Sequence, residues 1–271
     1  MHKRVDMKFT YKILIFIAAF SLVFMWLHDS KFYSTKIVLA DLGGVPWLYA
    51  SIGTLFSILA GFIVQKEWEN WNSLVDAVSG EVNVLREMWL WSRYLPQETS
   101  DVFLNSIRSY LEEMSEEGLY KSEHGITSDR IEKSVSRLNA TMFDMFKKDP
   151  AIATNAFSYF TRLIEQRSDR IRYSSHHVPV SVKRILFFAT CLMVILSLFI
   201  GVHNIWLDYI YTISVSMLTF VIFLVIDDLD RPLVPGGWHL TPKPYKKLLA
   251  EVSIRAERES FKKFQQTREE Q

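Results

Sequence analysis

The chain has 271 residues, a formal net charge of +1 and one cysteine, Cys191. Near-neutrality argues against nucleic acid as a main partner, which wants a basic face, and a lone cysteine excludes an intrachain disulfide or a paired-cysteine metal box. Apolar residues make up 49% of the sequence and are concentrated in blocks.

Four of these blocks are long enough, or nearly so, to cross a bilayer, which takes about 20 residues: 13–27, which is short but extendable by Phe9 and Tyr11, 45–64, 185–201 and 205–226. The first follows Lys3, Arg4, Lys8 and Lys12 and is not followed by a small-residue cleavage site, so it reads as an uncleaved anchor. Lys and Arg are sparse in 28–44, absent just after Gly201, and frequent after the second and fourth blocks. The positive-inside rule then places both termini and the middle segment in the cytoplasm. Trp26, Trp47, Trp206, Tyr49 and Tyr209 fall near the outer interface, where amphipathic rings are favoured.

Pro46 suits a first helical turn, after a turn at Gly43 and Gly44. From there a heptad stripe runs Trp47, Ala50, Thr54, Ser57, Gly61, Val64, Trp68, Trp71, Val75, Val78, Val82, Leu85, Trp89. Such a stripe predicts one helix with one face turned to a partner, ending near Leu95 at Pro96. Its small residues up to Gly61 permit close packing in lipid, and its bulky residues beyond Val64 drive burial in water.

Three further amphipathic helices follow. Phe103, Ile107, Tyr110 and Met114 mark the first, and Ile131, Val135, Leu138, Met142 and Met145 the second. Asp149 and Pro150 form a cap and first turn for the third, whose stripe is Ala153, Phe157, Phe160, Ile164 and Ile171. Arg167 falls where that stripe would run and needs a partner, for which Glu81, Glu87 and Asp169 are available. The expected architecture is an all-α membrane protein with four spans. A membrane hairpin (1–64) leads to a cytoplasmic antiparallel helical bundle (65–180), a second hairpin (181–227), and a Pro-rich strap with a charged tail (228–271).

Asp227, Asp228 and Asp230 follow the last span, at a helix C-terminus where the macrodipole disfavours negative charge. Compensation can come from Arg231, Lys243, a basic residue of the bundle, or a divalent cation, although the spacing is not that of a calcium loop. Residues 231–244 hold four prolines and two glycines and predict an extended strap. His176 and His177, the only histidine pair, are candidates for pH sensing. No nucleophile with its base, phosphate loop or metal box has a specific spacing, so an enzyme is not expected. No ionisable residue lies deep in a span, which disfavours ion-coupled transport. A passive pore with an apolar constriction and a structural anchor both remain.

Residues 60–72 (AGFIVQKEWENWN), 81–88 (EVNVLREM), 227–232 (DDLDRP) and 235–238 (PGGW) carry a resemblance. Over about 45–248 the chain resembles the bestrophin-like family of bacterial and plant membrane proteins, distantly similar to bestrophin anion channels. The resemblance implies a homo-oligomer, as in pentameric bestrophins, in the bacterial inner membrane, passing an anion such as chloride. It puts the second span around the pore, with Ile52, Phe56 and Leu59 as neck candidates. Gly53, Thr54, Ser57 and Gly61 then line the pathway or allow close packing. It makes Asp227, Asp228 and Asp230 a remnant of the Ca2+ clasp of animal members, although Leu229 interrupts the acidic run and Arg231 follows it. No other cofactor is implied. A second reading is a non-conducting scaffold or sensor in the lipid, whose bundle binds a cytoplasmic protein partner.

Overall fold

The computed structural model describes residues 2–29, 44–121, 128–148, 150–199, 204–234 and 236–254. The predicted turn at Gly43, the cap at Asp149 and the tail beyond 254 lie outside them. Among the described residues there is no strand. The helices are α1 (His2–Asp29), α2 (Gly44–Trp91), α3 (Gln97–Glu113), α4 (Asp129–Lys148), α5 (Pro150–Ser174), α6 (Val180–Phe199) and α7 (Ile205–Leu229). A further helix, α8, covers 243–254. The chain divides into two compact units, Met1–Asn70 with His177–His239, and Trp71–His176 with Leu240–Gln271.

Among the described residues four helices are long and apolar enough to cross a membrane, and the first unit holds three of them and the apolar part of α2. Helix α7 packs against both α1 and α6. Phe16 stacks on Phe220 at 4.3 Å and Phe24 meets Tyr209 edge-on at 5.2 Å, so α1 and α7 run antiparallel. Tyr49, Phe56 and Ala60 of α2 form a core with Leu186 and Met193 of α6 and Ile226 of α7. Trp26, Trp47 and Trp206 expose their rings, as interfacial residues should. Tyr49 is instead buried, and the Tyr209 hydroxyl pairs with Ser21 at 2.8 Å. Asn204 caps α7, its side chain accepting the N–H groups of Trp206 and Leu207. A polar stripe, Asp208, Thr212, Ser216 and Thr219, is buried along α7, and Ser216 bonds Ser197 of α6 at 2.9 Å. Small polar residues are a usual means of joining helices in lipid.

The second unit buries the predicted stripes of α3 and α4. Phe103, Ile107, Tyr110 and Met114 are fully buried, as are Leu138 and Met142, with Ile131, Val135 and Met145 nearly so. Helix α4 packs on α3 and on α5. On α5 the buried line is Ala156, Leu163, Arg170 and Ser174. The predicted Phe157, Phe160, Ile164 and Ile171 are only half-buried beside it. The deeply buried arginine is therefore Arg170, not Arg167. Arg167 pairs with Glu132 of α4, Arg162 with Glu87 of α2, and Asp169 with Arg172.

Arg170 donates from Nε to Glu81 of α2 at 2.6 Å, and Tyr110 of α3 donates to the other Glu81 oxygen at 2.6 Å. Tyr245 of α8 is fully buried in the same region, and Arg86 of α2 pairs with Glu251 of α8 at 3.3 Å. Burial by itself disfavours the guanidinium charge, but Glu81 outweighs it and raises the Arg170 pKa. Burial and then the charge of Glu81 push the Tyr110 and Tyr245 phenols above their ordinary value of 10.0. A phenol that stays protonated in the fold but ionises when unfolded costs no stability below pH 10 and removes it above. The unit should lose about 1.4 kcal/mol per phenol per pH unit above pH ~10. Denaturant titrations at pH 9, 10 and 11 check this, and Tyr245→Phe should flatten the decline.

Helix α2 is unbroken across the predicted stripe, but the stripe does not keep one face. Ala50, Thr54, Ser57 and Gly61 are exposed, whereas Val78, Val82, Leu85 and Trp89 are buried. A heptad repeat drifts about 20° per heptad on a straight helix, or roughly 120° over the six heptads from Trp47 to Trp89. The helix ends at Trp91 in a 3-10 turn, Ser92–Tyr94, earlier than predicted. Leu95 is then extended (ψ 154°), the conformation that a following proline imposes.

Candidate functional site

Two places in the first unit hold the residues singled out from the sequence. The first is the outward face of α2. Thr54, Ser57 and Gly61 lie on it, and a Cβ at Gly61 would meet nothing within 4 Å. Ser51, Thr54 and Ser57 return their hydroxyls to carbonyls of their own helix, at 2.9, 2.9 and 2.8 Å. A shallow open groove here is lined by Ser57, Ile58, Gly61, Phe62 and Gln65. Leu48, Leu55, Ile58 and Phe62 make a bulky exposed strip beside the small one. The neck candidates do not share this face. Phe56 is in the core, Ile52 packs against it, and Leu59 is half-buried. Gly53 faces α6, where a Cβ would meet Met193 Cε at 3.2 Å.

The second place is the junction after α7. Residues 239–241 are irregular, and 232–234 and 236–238 form turns and bends rather than an extended strap. Asp228 holds them, its Oδ2 accepting the N–H of Gly237 at 2.6 Å and of Trp238 at 3.0 Å. Trp238 then meets Trp68 of α2 edge-on, centroids 4.9 Å apart. Asp227 pairs with Arg231 one helical turn on. Asp230 is buried and accepts the Val178 N–H at 2.5 Å and the Lys183 ammonium. His177 Nδ1 lies 2.9 Å from the Asp230 carbonyl oxygen; His177 and His176 are both exposed, and His176 belongs to the second unit. Burial lowers the His239 pKa, with the Val234 and Pro232 carbonyls acting the other way.

The three aspartates thus do not converge. Each is engaged by N–H donors of the chain itself, and among the described residues no three His, Cys, Asp or Glu side chains are grouped to hold a metal ion. This donor set does not fit a calcium ion, which takes six to eight oxygen ligands. Arg231 was one compensating cation named from the sequence. Lys183 was missed, because nothing in the sequence links the first turn of α6 to a residue 47 positions later.

Four apolar helices around a polar-seamed core define an integral membrane protein. The family model of the bestrophin-like domain matches residues 15–237. The chain belongs to the bestrophin-like family. Its fold is similar to that of a bacterial bestrophin homologue from Klebsiella pneumoniae, with TM-score 0.69, 12% identity, and 90% of this chain and 97% of that chain covered. A substituted variant of that homologue gives TM-score 0.72 at 11% identity, covering 91% and 98%. A crystal structure of a membrane protein gives TM-score 0.68 at 12% identity, covering 90% and 97%. No curated protein matches.

Proposed function

We propose that the chain is one subunit of an oligomeric, anion-permeable channel, not an enzyme, with α2 helices of several copies surrounding a pore. The observation that carries this reading is the unpartnered small-residue face of α2, Ala50, Thr54, Ser57 and Gly61, inside a helix that otherwise buries Tyr49, Phe56 and Ala60. Self-bonded hydroxyls leave this face slim and mildly polar, suited to a neighbouring helix or to a hydrated path. Phe56 and Ile52, packed inside the subunit, are not assigned to the neck. Family membership supports channel function and, by analogy with bestrophins, five subunits. The lysine and arginine bias supports an inner-membrane setting with both termini and the second unit in the cytoplasm.

Chloride flux from purified protein in liposomes tests the reading. A selective chloride current supports it. Intact oligomers that pass no chloride at any pH would overturn it in favour of a scaffold whose second unit binds a protein partner. Gly61→Leu should weaken assembly at least about tenfold in dissociation constant, since an inserted side chain holds close-packed helices apart. Light scattering of the detergent-solubilised complex reads this, and unchanged mass would remove Gly61 from the interface.

A further inference from the structure

The junction after α7 holds more buried negative charge than its own helix can answer. Asp230 is 1% exposed and Glu67, on the inward face of α2, is 2% exposed. Burial, and then the charge of Asp230, push the Glu67 carboxyl pKa up, and Glu67 Oε2 has no hydrogen-bond partner among the described residues, so Glu67 is not paired with Lys183. Buried charges are tolerated only when paired and hydrogen-bonded. Asp230 has both kinds of partner, the Val178 N–H on Oδ1 and the Lys183 ammonium on Oδ2. The neighbouring Asp228 is committed to Gly237 and Trp238, and Asp227 to Arg231.

We propose that Lys183 is the built-in cation of this junction, doing for Asp230 what a bound divalent ion would do for a buried carboxylate. An ammonium is a compact charge with three donors on a flexible stem, and here it reaches Asp230 Oδ2. Because it is covalently part of α6, its occupancy has no concentration term, unlike that of a dissociable ligand. The link between the end of α7 and the first turn of α6 is therefore closed whatever the calcium level. The inference does not rest on conduction: a chain that passes no ion would close its junction in the same way.

The test is the thermal unfolding midpoint of the full-length protein in detergent, with a chelator or with millimolar calcium. Wild type should show the same midpoint in both. Lys183→Met should lower it by at least about 4 °C, and adding Asp230→Asn in the same chain should restore half of that or more, since the uncompensated charge is then gone. Lys183→Arg should stay within about 2 °C of wild type. If Lys183→Met cannot be purified, Lys183→Arg and the calcium comparison still decide. A saturable rise of the wild-type midpoint with calcium, a Lys183→Met midpoint equal to wild type, a double variant no better than Lys183→Met, or a Lys183→Arg midpoint well below wild type would each overturn the inference.

Discussion

Arg170→Met should destabilise the second unit by about 3–5 kcal/mol, the usual cost of leaving one member of a buried ion pair without the other. That is a large share of the roughly 5–15 kcal/mol that holds a typical domain together. Arg170 is 1% exposed and Glu81 fully buried, so water cannot take over the lost contact. Methionine fills most of the volume, which assigns the loss to charge rather than to a cavity. The pair also joins three helices, because Glu81 of α2 accepts from α5 and from Tyr110 of α3. Glu81→Gln with Arg170→Met should recover most of the loss, since no buried charge then remains. Denaturant unfolding in mixed micelles, followed by helical circular dichroism, measures both. A single variant as stable as wild type would show that the pair contributes nothing.

Gly236→Ala should cost about 2–3 kcal/mol, at the upper end of the ordinary range for single substitutions. An alanine Cβ would lie 1.7 Å from Asp228 Oδ1 and 2.7 Å from its Cγ. Asp228 cannot swing aside without releasing the N–H groups of Gly237 and Trp238. Non-additivity identifies the cause: with Asp228→Ala already present, Gly236→Ala should cost little more. Gly80→Ala is the control. Its Cβ would meet Gln166 Oε1 at 2.1 Å, but this is the far end of a flexible side chain. Alanine also favours helix over glycine by about 1 kcal/mol, so Gly80→Ala should be neutral or stabilising in the same unfolding assay.

The elements that could be read from the sequence were those whose burial follows apolar period alone. The α3 line from Phe103 to Met114 and the α4 line from Ile131 to Met145 needed no further information, because an amphipathic helix has one obvious inward side. On helix α5 the apolar stripe Phe157, Phe160, Ile164 and Ile171 is out of phase with the buried line. The centre of its inward side is an arginine, and a hydropathy pattern treats Arg170 as a reason to turn away. Similarly, the buried hydroxyls of Thr212, Ser216 and Thr219 are invisible to a search for ionisable groups deep in a span. At the junction, Asp227 with Arg231 was accessible as a local pair at helical spacing. Asp230 with Lys183 depends on tertiary folding. The Trp47–Trp89 heptads identified a long helix correctly but not its inward direction, because a seven-residue repeat and a 3.6-residue turn separate over that length.

The unbroken α2 has a consequence for how the sequence can change in length. Between Gly61 and Val78 there is no loop to absorb an added or missing residue. One inserted residue would turn everything beyond it by about 100° about the helix axis. The exposed glycine end and the buried valine end would then lose their angular relation. Seven inserted residues would nearly restore it, at the expense of about 10 Å of extra rod. Over this stretch chain length works as an angle, and functioning variants should keep it fixed even where side chains differ.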